Sequence, residues 1–486
     1  MSTTRGLVIG AEEVEAQDGS TFPDRDPFTG DLVATVASAK PADVVVAVAT
    51  AEEAFAAWSQ SSPADRRKVF LKAAEIVDNK AQELAAAMTS ETGGTFGWGM
   101  FNAGLAANIL REAAAAVTYP VGQVLATDTH GALSLAIRQP SGVVAAFAPW
   151  NAPLILGMRS MAIAIAMGNT VVLKPSEQAP LTSGLLLADV FREAGLPPGV
   201  CNVITNDPAD AAAIAEALIS DPRVTRVSFT GSTRVGRIIG ELAARHLKPA
   251  VLELGGKNSL IVLNDANLDY ASQAVAFAVY MNSGQICMSA DRVMVQRGVA
   301  REFIKQLSDR ATGIPTGDPR DRHTVVGPLI NEEAAQRVAS VVGEAVSAGS
   351  RLEAGGSPPQ GAVLAPTVLS QVRDDLRVAR EEIFGPVCTV AVFDSEDDAV
   401  AAANKTSYGL TAGILTEDIR RGYAIARRLR TGIVHVNDQS VDDEPQAPFG
   451  GVGDSGYGRF GGQSGIDAFT TMRWITLQMG HSSFPF

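Results

Sequence analysis

Cysteine and histidine are scarce in this 486-residue chain, which holds three cysteines (Cys201, Cys287, Cys388) and five histidines (His130, His246, His323, His435, His481). An odd, sparse set of cysteines makes no disulfide framework. No Cys or His pair has metal-ligand spacing, so no metal site is expected. Runs of Lys and Arg are missing as well. At a net charge of −13, the surface repels phosphate backbones and anionic lipid, so neither a nucleic-acid nor a membrane partner is expected. Long apolar runs are also lacking. Pro149, Asn151, Pro153, Arg159 and Asn169 interrupt the most apolar stretch, 142–173. No span of roughly 18 apolar residues is left for a membrane helix. The N-terminus turns acidic early and has no apolar core of a signal peptide, so a cytoplasmic location is expected.

What is present is enough apolar residue, 46% against 19% charged, to exclude disorder and build a large core. The length suggests roughly two to four domains. Apolar spacing predicts helices over 41–60, 63–90 and 101–118, with Pro63 at a helix start. From residue 141 the pattern alternates. Strands are expected at 141–149, 170–175, 200–205 and 224–231. Helices are expected at 153–167, 181–195 and 208–219, with another from Thr233. Such alternation with short links marks an α/β fold with a parallel, doubly wound, Rossmann-like nucleotide-binding sheet. After Gly255-Gly256 a second α/β pattern begins, with strands at 259–263, 291–296, 387–393 and 432–436. The terminal run ITLQM reads as a strand suited to pairing with another subunit.

Several short segments carry residues suited to chemistry. Cys287 lies in NSGQICMSADR (282–292), just past a helix and among turn-forming residues. A nucleophilic thiol needs access and a stabilised thiolate. A lone Cys is otherwise a small buried hydrophobe, and the local context leaves the two readings level. Cys201 and Cys388, inside apolar strands, take the second. Glu253 ends a strand in LELGGKN (252–258). Its apolar flanks predict partial desolvation and a pKa raised toward that of a general base, and the adjacent glycines suggest close backbone approach. Asn151 follows Pro149-Trp150 at the carboxyl end of a strand, where open parallel sheets bind ligands, and its amide suits an oxyanion. Lys174 and Glu177 in LKPSE are placed either to grip a ribose diol or to form a surface ion pair. In FTGSTRVG (229–236) a strand, a Gly-Ser turn and a helix start follow in order, and the first helical amides can hold phosphate.

In this order, PWN, KPSE, FTGS, LELGGKN, NSGQIC, EEIFGPV (381–387) and PFGG (448–451) make the chain resemble the aldehyde dehydrogenase superfamily along nearly its whole length. The resemblance implies Cys287 as nucleophile, Glu253 as the base that activates water, and Asn151 as oxyanion donor. It implies cofactor contacts from Pro149, Trp150, Lys174, Ser176, Glu177, Gly231, Ser232, Gly236, Leu254, Glu382 and Phe384. NAD is the implied cofactor, with NADP possible, because Glu177 repels a 2′-phosphate. Three parts are implied: a cofactor domain (1–120 and 141–254), a catalytic domain (255–465), and a bridging element (121–140 and 466–486) that joins a partner in a homodimer or homotetramer. PFGGVGDSGYGRFGG (448–462) and FTTMRWITLQ (469–478) are similar to the bacterial branch that oxidises vanillin, benzaldehyde and salicylaldehyde. That branch implies substrate contacts from Arg159, Trp98, Tyr280 and Phe449, each with a structural alternative: an ion pair for Arg159, core packing for the rings. Two rival activities are a CoA-acylating dehydrogenase and an aliphatic or semialdehyde dehydrogenase. A catalytically dead scaffold is the rival of another class, disfavoured because both Cys287 and Glu253 are present.

Overall fold

A computed structural model describes residues 3–119 and 121–486. Two sheets dominate. The first runs, edge to edge, through Gly456–Tyr457, Ala250–Glu253, Val224–Thr230, Val143–Ala148, Thr170–Pro175, Cys201–Val203, Leu7–Ile9 and Glu12–Val14. Its five central strands, 250–253 to 201–203, are parallel, and antiparallel strands close both edges. Every residue of Val143–Ala148 and Thr170–Pro175 is buried. That explains why these segments read as continuous apolar runs: helices cover both faces of the sheet. The second sheet runs Arg351–Ala354, Thr367–Ser370, Val387–Phe393, Arg292–Gln296, Ser259–Val262, Thr411–Leu415 and Ile433–Val436, with only the first strand antiparallel.

The carboxyl ends of the strands feed the site. Val143–Ala148 leads into Pro149-Trp150-Asn151 and then the helix Pro153–Ala166. Val224–Thr230 leads through Gly231 to the helix Thr233–Arg245, whose N-cap Ser232 accepts from the Val235 amide. Pro153 at the first helical position and Ser232 at a cap are the residues those positions favour.

Local differences from the sequence reading have physical causes. The span 63–90 is two helices, Pro63–Asn79 and Ala81–Thr92, because the backbone leaves the helical region at Lys80. The helix expected from 181 opens as a π-helical turn, Leu181–Leu185. There the buried Glu91 carboxylate takes the Leu181 and Thr182 amides and the Thr182 hydroxyl. The C-terminal strand, expected to suit pairing with another subunit, has one edge paired within its own chain. Thr470–Gln478 pairs over nine residues with Ala132–Pro140 of the same chain, which in turn pairs with Gly122–Leu125. Among the described residues no strand pairs with the outer edge of 470–478, and Trp474 is 73% exposed. Gly456–Tyr457, from the segment assigned to the catalytic domain, completes the edge of the first sheet. Among the described residues no helix is long and apolar enough to cross a membrane.

Candidate active site

Cys287 occupies a turn between Met281–Gly284 and the strand Arg292–Gln296. The chain reaches it through an unusual bend: Asn282 and Ser283 have φ of 48° and 56°. Left-handed backbone is costly for residues with a side chain. Here buried hydrogen bonds hold it, from Asn282 Nδ2 to the Asn151 carbonyl (2.9 Å) and from Ser283 Oγ to the Gly327 carbonyl (3.0 Å). Gly284, at φ 71°, lies so close to Gly385 that a Cβ would sit 2.1 Å from its carbonyl oxygen. Only glycine fits there, and the turn carrying Cys287 is thereby pressed against the segment carrying Glu382 and Phe384. On its other side, Asn258 Nδ2 donates to the carbonyls of Cys287 (2.7 Å) and Ser289 (2.9 Å).

Cys287 lines a cavity of about 360 Å³ together with Asn151, Glu253, Ser232, Glu382 and Phe384. Asn151 is buried, and its Nδ2 donates to the Gln285 carbonyl at 2.9 Å, two residues before the thiol. Glu253 ends the strand Ala250–Glu253 and is 2% exposed, yet neither carboxylate oxygen has a partner. Burial pushes its pKa up to about 8; Arg159 pulls it down and Asp443 pushes it up. A base with that pKa holds a proton weakly enough to exchange it near neutral pH. Burial also pushes the Cys287 thiol well up, and the Glu253 and Glu382 carboxylates add to this, while Arg159 opposes them. The thiolate therefore needs further positive charge, which a bound nicotinamide cation would supply.

Of the cofactor candidates, Pro149, Trp150, Gly231, Ser232, Leu254, Glu382 and Phe384 line this cavity, whereas Lys174, Ser176, Glu177 and Gly236 lie outside its lining. Glu382 accepts from the Gly256 amide at 3.0 Å, and burial raises its pKa to about 7. A Cβ on Gly255 would sit 2.3 Å from Glu382 Oε2, so the glycine makes room for the carboxylate. Phe384 meets Trp150 edge to face at 5.6 Å. Gly231 and Ser232 stand at the start of the helix Thr233–Arg245, and Gly236 lets its first turn lie on Leu254, where a Cβ would fall 2.3 Å from the leucine side chain. Lys174 and Glu177 form an ion pair that is largely buried, not a surface one. Glu177 also accepts from Asn206 Nδ2 at 3.1 Å, and Ser176 is buried beside them. A helix N-terminus and a cradled carboxylate at this cavity suit the phosphate and sugar of a nucleotide.

The four proposed ring contacts separate. Trp98 is buried, donates from Nε1 to the Asn151 carbonyl (3.1 Å) and stacks on Phe101, so it braces the Asn151 segment. Phe449 is buried under the Arg159 guanidinium, 4.4 Å from it. Arg159 is ion-paired to Asp443. Tyr280 is the correction: it is 1% exposed, and its hydroxyl points to the Thr367 carbonyl at 3.4 Å, inside the second sheet's core. It faces away because it is the last residue of the helix Leu268–Tyr280, just before the left-handed bend redirects the chain. Sequence reasoning missed Arg337, which lines the cavity and donates to the Ile383 carbonyl (2.7 Å), and also Asn258 and Asp443. Arg337 and Asp443 sit in no motif with a chemical signature; Asn258 closes LELGGKN, but nothing in that string shows that its amide reaches the Cys287 carbonyl.

Comparison with known proteins agrees with this geometry. The aldehyde dehydrogenase family model matches residues 14–475. The chain is 48% identical to a vanillin dehydrogenase of Pseudomonas fluorescens, over 99% of each chain. It is 40% identical to an NAD(+) benzaldehyde dehydrogenase of Pseudomonas putida, over 99% of this chain and 98% of the other. Its fold superposes on the crystal structure of a salicylaldehyde dehydrogenase from Pseudomonas putida G7, complexed with salicylaldehyde, at a TM-score of 0.97, with 37% identity and full coverage of both chains.

Proposed function

This chain belongs to the aldehyde dehydrogenase family, and from that premise we propose that it oxidises an aromatic aldehyde of the vanillin or benzaldehyde kind to the carboxylic acid. It is an NAD(P)-dependent oxidoreductase. The observation that carries the hydrolytic reading is Glu253, a buried carboxylate without hydrogen-bond partners in the cavity that also holds Cys287.

Cys287 thiolate attacks the aldehyde carbon, and the Asn151 amide with the Cys287 backbone N–H stabilises the oxyanion. The bound nicotinamide supplies the hydride acceptor. Loss of hydride leaves a thioester on Cys287. Glu253 then takes a proton from water, the hydroxide adds to the thioester, and the acid leaves as Cys287 thiolate is restored. Glu382 and Phe384 orient the nicotinamide end, Gly231 and Ser232 the pyrophosphate, and Lys174 with Glu177 the adenosine ribose. Glu177, already engaged by Lys174 and Asn206, disfavours a 2′-phosphate, so NAD is the favoured form. Assembly as a homodimer or homotetramer belongs to the same proposal, supported by the outer edge of Thr470–Gln478, which no strand pairs among the described residues, and by its exposed Met472, Trp474 and Leu477.

The test mixes protein, NAD and benzaldehyde with and without CoA and follows NADH absorbance. Turnover without CoA is expected. A strict requirement for CoA overturns the hydrolytic reading, and silence with every aldehyde overturns the enzyme reading.

A further inference from the structure

Beside the Glu382 segment lies an ion pair that the proposed reaction does not use. Lys257 Nζ stands 3.0 Å from Asp291 Oδ2, with the lysine side chain fully enclosed and that of Asp291 7% exposed. A buried ion pair adds little stability by itself, because desolvating two charges offsets most of their attraction. The other bonds of this pair go to one stretch of chain. Lys257 Nζ donates to the Val378 carbonyl at 2.8 Å, and Asp291 Oδ2 accepts from the Ile383 amide at 3.2 Å. Glu382 lies between those two anchors.

The anchored stretch has little regular structure of its own. The short helix Arg377–Arg380 ends before Glu381, and no helix or strand follows until Val387. Phe384 has a φ of 53°. Left-handed backbone at a bulky residue persists only where its surroundings hold it, and Asp291 holds the residue directly before it. The anchors come from the two segments that also carry the chemistry. Asp291 ends the turn of Cys287 and directly precedes the strand Arg292–Gln296. Lys257 stands between Gly256, whose amide donates to Glu382 Oε1 at 3.0 Å, and Asn258, whose Nδ2 donates to the Cys287 carbonyl at 2.7 Å. Three consecutive residues thus tie down the Glu382 carboxylate, the main chain behind it and the turn of Cys287.

We infer that Lys257 and Asp291 are positioning residues that set Glu382 in place for the nicotinamide ribose before the cofactor binds. This rests on the reading of Glu382 as a ribose acceptor. An acceptor already in place loses less freedom when its ligand arrives. The pair therefore acts on NAD affinity and leaves the reactivity of Cys287 alone.

The first test needs no variant. In the cofactor-free enzyme, hydrogen–deuterium exchange at the Ile383 amide, resolved by fragmentation, is expected to be at least about 100-fold slower than in an unstructured peptide. Faster exchange overturns the pre-positioning, whatever NAD then adds. The second test compares Lys257→Met/Asp291→Leu with Lys257→Met/Asp291→Asn. Both remove the two charges together, so neither strands one, but only the latter keeps an acceptor for the Ile383 amide. KM for NAD is expected to rise about tenfold in the former and about threefold in the latter, with kcat, KM for benzaldehyde and the rate of Cys287 alkylation by iodoacetamide within about twofold of wild type. An unchanged KM for NAD in active variants overturns the inference. So does an equal loss in every readout, which marks a merely structural pair. If neither variant folds, the exchange measurement still decides. Glu382→Gln separates the two layers. If it leaves KM for NAD unchanged, the ribose reading of Glu382 fails. If it raises that KM while the double variants do not, only the positioning pair is overturned.

Discussion

Glu91 and Glu253 are both buried glutamates whose pKa values burial raises above the carboxylate range. Their surroundings differ. Glu91 is surrounded by donors: the Leu181 amide at 2.6 Å, the Thr182 amide at 2.8 Å and the Thr182 hydroxyl. Its carboxylate ties the helix Ala81–Thr92 to the π-helical turn at 181. Glu253 has no donor on either oxygen and faces a cavity beside a thiol. Burial is common to both, so a raised pKa alone does not separate a structural acid from a catalytic base. The free lone pairs do, because water can be held and deprotonated only where no protein donor has taken them. The cysteines divide in the same way. Burial pushes the Cys201 and Cys388 thiols to about 12, inside strands, whereas Cys287 is half-buried in a turn at the cavity.

The sharpest test of that division is Cys287→Ala, which is expected to abolish NADH formation while leaving the thermal midpoint within a few degrees. Cys201→Ala should do the reverse, lowering the midpoint through a small cavity in a packed strand while turnover continues. Equal kinetic damage from both would erase the contrast.

Glu253→Gln comes next. Steady-state turnover is expected to fall by roughly 10²–10⁴-fold, the usual worth of a positioned general base, while rapid mixing still shows a burst of NADH. In the wild-type enzyme the hydrolytic step should quicken as pH rises through about 8, where Glu253 becomes ionised. The stability effect has the opposite sense. A carboxyl whose folded pKa exceeds its unfolded value near 4.5 adds stability at low pH and loses it as pH rises toward 8. The Gln variant lacks that loss, so its thermal midpoint should gain on wild type between pH 5 and 8. A variant that falls behind over that range would contradict a buried, partnerless Glu253.

Glu91→Ala should cost stability and little else. Three donors lose a buried carboxylate, which is worth about 2–4 kcal/mol by denaturant unfolding. Turnover of the folded fraction is expected to stay within a few-fold. A large kinetic loss at full stability would place Glu91 with the catalytic acids. The smallest effect is expected from Gly255→Ala. Its Cβ would press on Glu382 from 2.3 Å, so KM for NAD should rise about tenfold with a smaller change in kcat, an effect of roughly 1.4 kcal/mol. An unchanged KM would separate Glu382 from cofactor binding.

Much of this was legible in the sequence. The parallel strands 143–148, 170–175 and 224–230 are fully or largely buried, and their apolar runs announced them. Short polar strands were harder. Arg351–Ala354 and Glu12–Val14 are edge strands with exposed residues, so no apolar run marks them. Cys287, Glu253 and Asn151 were singled out by the ordered motifs that carry them; the local context of Cys287 alone left its two readings level. Tyr280 was misjudged because nothing in the string Tyr280-Met281-Asn282-Ser283 reveals a reversal of direction. Asn282 and Ser283 take left-handed backbone only because Asn151 and Gly327 hold them there.

The sequence by itself determined the α/β class and the family, and it singled out Cys287, Glu253 and Asn151 as candidates for nucleophile, base and oxyanion donor. Periodicity and motif order are local properties that survive in a one-dimensional string. Only the tertiary structure decided which of the buried polar groups are satisfied. Partners such as Glu91 with Thr182, 91 residues apart, and Arg159 with Asp443, 284 apart, meet only when the chain packs. Whether a buried carboxylate is structural or reactive depends on whether such a partner arrives.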